Sequence, residues 1–590
     1  MTFESIDLTV LIGYLLIMMG IGVYIANKEK NDSAKDYFLA SSALPWWAVG
    51  GSLIASNIST EQILGMNGSG FVMGLAIAAY ELLAALTLIL VAKFLLPVFI
   101  KKGIYTMPQF LEERFDRRVR TIMAFFWVAL FVLVNITSVL YLGALAIESI
   151  LDIPMLWGII GLVVYSATLS IFGGLKAVVW TDVIQVVILI VGGFVAAYMV
   201  LTFVGDGSFF GGLSHLYEQA PDHFDMILDK TNESYSALPG ISVLVGGLWI
   251  ANLYYWGNNQ YIIQRALAAK SLGEAQRGVA FAAFMKLLIP FFAVIPGIAA
   301  YVILQDPAAY GFAGEGIAKP DQAFPWVLGN FVQVGFKGLV LAALIAAIGS
   351  SVSSMVNSAS TIFTLDIYKN LFEPRRTDEH YVKVGRIASA AALVAGAIIA
   401  PLLGNLEQVF QYIQEYTGFI SPGVVAVFLF GMFWRRATPN AALVAVVASI
   451  PFSAAMAFFF PEVPFLVRMA LSFAVMSALI VVISVAERPA GEGARPNEMP
   501  YLIGLCLSLI LISVPAGVRI LAGDIGINIT FGILILGLVG IIFAMLFTEK
   551  NRDDERAIHL DMKMFRTDAV FNITSIVVCL ILAAIYIFLW

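Results

Sequence analysis

Long apolar runs alternate with short polar segments along almost the whole chain. A membrane-spanning helix needs about 20 predominantly apolar residues. Roughly sixteen runs of that kind follow one another. Their approximate limits are 6–26, 47–70, 74–99, 121–149, 154–174, 178–204, 240–260, 278–304, 331–362, 385–403, 409–434, 440–460, 465–486, 499–520, 526–547 and 569–590. No positively charged segment precedes the first run and no clear small-residue cleavage site follows it. It therefore reads as a retained helix rather than a signal peptide.

Two of these runs break the pattern. The second reads Ile54-Ala55-Ser56-Asn57-Ile58-Ser59-Thr60-Glu61-Gln62 and then Gly65-Met66-Asn67-Gly68-Ser69-Gly70. Asn, Ser and Gly are poor helix formers, and Ser and Asn offer the backbone competing hydrogen bonds. The seventh, Gly247 to Gln260, is polar and aromatic through the same depth. Both predict interrupted helices. They stand five helices apart, so the second enters the membrane the opposite way up. That is the pattern of an inverted repeat with a broken first helix in each half and a substrate site at the midplane. A break also frees carbonyl oxygens, which are ready cation ligands.

Other polar groups lie at similar depth. The ninth run carries Ser350, Ser351, Ser353 and Ser354. Their hydroxyls suit a hard cation, or they bond the carbonyl one turn back. Taken alone, the second reading is the stronger. Glu81 and Lys286 lie inside spans and Asp182 opens the sixth. Each charge at mid-membrane costs about 2.5–3.5 kcal/mol. Glu81 and Lys286 either line a cavity for a neutral polyhydroxylated ligand or form a structural ion pair. Lys93 and Asp366 sit near span ends, where snorkelling accounts for them.

Composition agrees. The 590 residues are 60% hydrophobic and 13% charged, a balance no soluble fold could cover with polar surface. The net charge of −6 leaves no basic footprint for nucleic acid. No disulfide framework, metal-spaced cysteine pair or catalytic motif such as HExxH or GxSxG stands out, so an enzyme is not expected. Most of the 34 basic residues fall in alternate loops, among them Lys101, Arg114, Arg120, Lys176, Arg265, Arg277, Arg375, Arg436 and Arg566. By the positive-inside rule those loops face the cytoplasm and both termini lie outside. The acidic loops 205–239 and 305–330 then lie outside, as plain solvated loops or as short helices over the outer mouth.

The stretch Gly173-Gly174-Leu175-Lys176-Ala177-Val178-Val179-Trp180-Thr181-Asp182-Val183-Ile184-Gln185 resembles a signature of the sodium/solute symporter family. The resemblance to its bacterial sodium/galactose (sodium/glucose-type) branch runs from about Tyr37 to Arg436 and returns at Met564–Trp590. It implies an all-α, LeuT-type fold of two inverted five-helix repeats. Residues 1–46 would be an extra N-terminal helix, 47–239 and 240–436 the repeats, and 437–590 peripheral helices with an extra hairpin at about 499–547. Carried over by position, the co-transported sodium ion would meet the carbonyls of Ala55, Ile58 and Ala347 and the hydroxyls of Ser350 and Ser351, with Asp182 on its exit path. The sugar would meet Asn57, Gln62, Glu81, Asn252, Lys286 and Gln414. Tyr255 would stack on the sugar and block the inward exit, while Met66, Tyr80 and Phe410 would form the outer lid. No organic cofactor is implied. Ala84 departs from the pattern, because a galactose-binding relative has a serine there. The expectation is a sodium-coupled importer of a monosaccharide such as galactose or glucose in the inner cell membrane. The alternative is a sodium- or proton-coupled symporter of another small polar solute such as inositol.

Overall fold

The computed structural model describes residues 4–28, 38, 43–59, 61–171, 174–312, 314, 316–405, 409–487, 556–558 and 560–590. Among them the fold is helical, and the one extended pairing is an isolated bridge between Leu44 and Ala269. The elements that build the site are α1 (Ser5–Lys28), α2 (Trp46–Asn57), α3 (Met66–Met73), α4 (Ala79–Leu90), α5 (Gly174–Val204), α6 (Gly247–Leu253), α7 (Gln260–Leu267), α8 (Leu272–Lys286), α9 (Phe336–Ile362) and α10 (Val409–Phe433).

Both expected interruptions are present. Helix α2 stops at Asn57, where Ile58 leaves helical geometry (φ −74°, ψ 87°). In an unbroken helix the Ser59 N–H would bond the Ala55 carbonyl; here it bonds Asn57 instead. Helix α6 loosens over Tyr254–Asn258, and Asn259 is extended (φ −87°, ψ 123°) before α7 begins.

Ten described helices are long and apolar enough to cross a membrane. The pair Leu272–Lys286 and Ile289–Gln305, bent by 42°, raises that to eleven. The count of sixteen is therefore not confirmed among the described residues. The runs 47–70 and 240–260 are each split into short pieces by their breaks. The helix at 154–174 is only Met155–Ser170. The runs 499–520 and 526–547, with the hairpin they compose, lie outside the described residues. Loop 205–239 is not plain coil, since it contains the helix Phe209–Gln219.

Close packing at glycine brings the polar spans together. A Cβ on Gly50 of α2 would lie 2.5 Å from the Gly278 carbonyl oxygen of α8. A Cβ on Gly192 of α5 would lie 2.5 Å from Ala343 of α9. These contacts set α8 against α2, and α5 against α9, as small residues do in membrane helix packing. The window of the span Phe336–Phe372 that tests as membrane-crossing is 94% buried, so this span is a central post rather than a lipid-facing one.

Three charges take buried partners, and for Asp366 and Arg114 this departs from the sequence expectation. Asp366 does not snorkel: it is buried, accepts from Thr106 at 3.0 Å and pairs with Arg120 at 2.8 Å. Arg114 is buried and donates to the carbonyls of Gly431 (2.7 Å), Trp434 and Arg435 (both 3.0 Å) just beyond and at the end of α10. Asp7, on the N-terminal helix α1, accepts from the N–H groups of Gly335 (2.8 Å) and Gly338 (2.9 Å). It therefore caps the N-terminus of α9, where a carboxylate also meets the positive end of the helix dipole.

In the loop 305–330, Asp321 accepts from the Val409 N–H at 3.1 Å, while its other carboxylate oxygen has no partner. Burial pushes this carboxyl up to about 6, against the lowering effects of the Val409 bond and Lys319. A pKa above the ordinary 3.8 means that the folded protein binds the proton more tightly than the unfolded chain. This group's contribution to stability therefore falls as pH rises from about 4 to about 6.

Two outcomes are expected. Asp7→Ala should lower the thermal unfolding midpoint of purified protein by an amount equivalent to about 1–2 kcal/mol; an unchanged midpoint would contradict the cap. Asp321→Asn should flatten the pH dependence of that midpoint between pH 4 and 6, and a slope equal to the parent's would show that Asp321 does not titrate there.

Candidate functional site

The two breaks face each other across a buried cavity. It is lined by Asn57, Gln62, Tyr80, Glu81, Ala84, Asn252, Tyr255, Trp256, Lys286, Phe410, Gln414 and Thr417, together with Ala251, Tyr254 and Ser421. All seven residues expected at the sugar site line it: Asn57 ends α2, Gln62 lies in the turn Glu61–Gly65 that follows the break, Glu81 lies in α4, Asn252 in α6, Tyr255 in the loosened turn after α6, Lys286 ends α8 and Gln414 lies in α10. Only about 50 Å³ is open to the centres of water-sized molecules, so the lining side chains must part to admit a hexose.

The cavity's charges are paired. The Lys286 ammonium, 1% exposed, donates to Glu81 Oε2 and to Asn57 Oδ1. It also lies 4.7 Å from the Trp256 ring centroid. A buried ion pair is tolerable only when further polar contacts complete it; Asn57 supplies a hydrogen bond and Trp256 a cation–π contact. Asn57 Nδ2 donates at 3.0 Å to the Tyr255 hydroxyl, which also receives the Tyr261 hydroxyl. Ser59 donates to Gln62 at 3.1 Å. Around the same space, Asn252 Nδ2, Thr417 Oγ1 and the Tyr80 hydroxyl are buried without a protein partner. Buried polar groups normally find one. A ligand rich in hydroxyls fits this mixture of donors and acceptors.

Of the expected lid residues, Tyr80 and Phe410 meet edge to face with ring centroids 5.4 Å apart, on one wall of the cavity. Phe410 also presses on Gly65, where a Cβ would stand 2.7 Å from it. Met66 is fully buried at the start of α3 but does not line the cavity.

The serines of α9 meet the end of α2. Ser351 Oγ donates to the Ser56 carbonyl at 3.0 Å, and Ser350 Oγ donates to Asp182 Oδ1 at 2.6 Å. Ser354 bonds back to the Ser350 carbonyl at 2.6 Å, the local alternative that the sequence leaves open. Asp182 is fully buried and also accepts from Ser52 at 2.5 Å and Ser56 at 3.2 Å. Ala55, Ile58, Ala347, Ser350 and Ser351 thus lie on two elements joined by direct contacts, with hydroxyl oxygens beside a broken turn.

Arg265 overturns its sequence reading. Its position near a span end places it among the loop charges, yet it is completely buried on α7. It lies 3.4 Å from Asp182 and donates to Ser52 at 2.8 Å, to Ser354, and to the Tyr261 carbonyl. Sequence reasoning also missed Trp256, Tyr261 and Thr417. The aromatic run Tyr254-Tyr255-Trp256 was visible, but which ring would face the lysine was not.

The sodium:solute symporter family model matches residues 37–448. The chain is 47% identical to the sodium/glucose cotransporter of Vibrio parahaemolyticus, across 99% of this chain and 98% of that one. It is 33% identical to sodium/myo-inositol cotransporter 2 of Mus musculus, across 75% of this chain and 68% of that one. A solved structure of a Na⁺-coupled sialic acid symporter in a substrate-bound outward-open state superposes with a TM-score of 0.72 at 26% identity, covering 83% of this chain and 99% of that one. The architecture is that of the LeuT-type transporters. A family match over most of the chain and a relative of nearly half-identical sequence along its whole length leave one assignment: this protein belongs to the sodium:solute symporter family.

Proposed function

We propose that this chain imports a monosaccharide, glucose or galactose, by sodium-coupled symport through alternating access. As a sodium:solute symporter it is a multi-pass membrane transporter rather than an enzyme. The observation that carries the sugar reading is the Glu81–Lys286–Asn57 cluster beside unpartnered Asn252 and Thr417 in one buried cavity.

In this reading sodium enters between α2 and α9. It takes the carbonyls of Ala55, Ile58 and Ala347 and the hydroxyls of Ser350 and Ser351. Its charge stabilises the broken end of α2, which carries Asn57. Sugar hydroxyls then interpose among Lys286, Glu81, Asn57, Gln62, Asn252 and Gln414, exchanging the internal bonds of the cluster for bonds to the sugar. The ring face of Tyr255 offers the apolar side of the sugar a stacking surface. Met66, Tyr80 and Phe410 close from outside, the two halves 47–239 and 240–436 rock, and Tyr255 moves to release the sugar inward. Sodium leaves past Asp182. Each ligand favours the other's binding, and the effect is reciprocal. The membrane potential adds about 2.3 kcal/mol per charge per 100 mV to sodium entry.

In this reading the protein sits in the inner cell membrane with both termini outside the cytoplasm, as the distribution of its loop charges suggests. Removing the buried Arg114, Arg265 and Arg436 from the loop charges leaves the same alternation in the rest. A second reading, a cyclic polyol such as inositol, is supported by the similarity to sodium/myo-inositol cotransporter 2 and agrees with the buried methyl of Ala84, which offers the cavity no hydroxyl.

Replacing sodium by choline at constant pH should abolish concentrative uptake into proteoliposomes; sustained uptake would point to proton coupling instead. Glu81→Gln keeps the side chain's shape but loses its charge-assisted bonds, worth about 1.5–3 kcal/mol. It should weaken sugar binding roughly tenfold or more, and unchanged counterflow of radiolabelled glucose and galactose would remove the cavity from consideration.

A further inference from the structure

One continuous chain of buried polar contacts runs from the α9 serines to the sugar-site cluster, and it passes through α7. At one end Ser350 bonds Asp182. Arg265 binds Asp182 together with Ser52 and Ser354, and its third nitrogen reaches the carbonyl of Tyr261 one turn back. The Tyr261 hydroxyl donates to Tyr255, Tyr255 accepts from Asn57, and Asn57 accepts from Lys286, which holds Glu81. Tyr261 and Arg265 are 1% and 0% exposed.

We propose that Arg265 and Tyr261 are positioning residues that couple sodium to sugar, with the half-helix α7 as the moving element between the two sites. This rests on the placement of sodium and sugar given above and adds the device that links them. Three features of α7 carry the argument. It follows a backbone break at Asn259, so it can shift without dragging α6. Its charged contact with the sodium side is a cation fixed to its own backbone, Arg265 on the Tyr261 carbonyl, so a change in the field at Asp182 is transmitted to the helix itself. Its one hydroxyl toward the sugar side ends on the ring that blocks the inward exit.

The physics follows from charge competition. Arg265 is the counter-charge of Asp182 while no ion is near. A sodium ion at Ser350 and Ser351 adds a second positive charge beside that carboxylate. In a buried setting two cations near one anion repel strongly. Sodium thereby loosens Arg265 from Asp182 and shifts α7, and Tyr261 carries the shift to Tyr255 and Asn57. Because coupling between sites is reciprocal, sugar held by Asn57 and Tyr255 sets Arg265 where sodium binds best.

The test is equilibrium binding of radiolabelled glucose or galactose to purified full-length protein, with sodium saturating and with sodium replaced by choline. The ratio of the two dissociation constants is the coupling factor. Tyr261→Phe removes a single oxygen. It should cut the coupling factor at least threefold while the sodium-free dissociation constant moves less than twofold; a coupling factor equal to the parent's overturns the proposal. Arg265→Lys tests the other end, keeping a charge beside Asp182 but losing the fork that joins Ser52, Ser354 and the Tyr261 carbonyl. The sodium concentration for half-maximal effect should move at least fivefold, and an unchanged value together with unchanged coupling also overturns it. Intact coupling in Tyr261→Phe alongside lost binding in Glu81→Gln would sink the relay alone. Retained binding in Glu81→Gln would sink the site assignment on which the relay rests.

Discussion

Hydrocarbon offers no partner to a backbone N–H or C=O, so a helix can break at membrane depth only where protein or a polar cavity covers the break. Much of this architecture follows from that constraint. The turn after Asn57 and the turn at Asn259 both lie inside the bundle, walled by α4, α8, α9 and α10. The glycine contacts of Gly50 with Gly278, and of Gly192 with Ala343, draw those walls in. In exchange for two lost turns the protein gains carbonyls and amides that point into one enclosed space, where low dielectric gives each polar contact more weight.

The same enclosure decides how charge is handled. Glu81 and Lys286 neutralise each other at one locus, Asp182 and Arg265 at the other. Neither pair is left with bare valences: Asn57 and Trp256 complete the lysine, and Ser52, Ser56, Ser350 and Ser354 complete the second pair. Removing one partner of such a pair typically costs about 3–5 kcal/mol, since the survivor stays buried and unmatched. Ligands that slip between the partners exploit the same sensitivity without that penalty, because they bring hydrogen-bonding groups or charge of their own.

Much of this was legible in the sequence, because composition and local propensity report it directly. The apolar runs, the weak helix formers Ser56, Asn57 and Ser59, and the intramembrane Glu81 and Lys286 each announce themselves without tertiary information. Arg265 did not, because an arginine at a span's end looks like any cytoplasmic charge until the fold shows that α7 turns inward. Asp366 and Arg114 misled for the same reason. The count of sixteen spans stays unconfirmed for a different cause: 47–70 and 240–260 are broken into short helices, each below the length of a single spanning helix, and 499–547 lies outside the described residues. Trp256 was hidden by its neighbours, since three successive aromatics on a loosened turn do not reveal which ring faces the lysine.

The cap that Asp7 places on α9 also bears on how the protein is made. The carboxylate is synthesised well before its two partners, which follow 328 and 331 residues later. At roughly 5–20 residues per second, that is a wait on the order of 15 to 65 seconds. Until then α1 has no α9 to dock against, and Asp7 must stay near water at the bilayer surface or in the insertion machinery. Helix α1 is therefore fully seated only after α9 has been made, and assembly of the bundle closes across that whole separation in sequence.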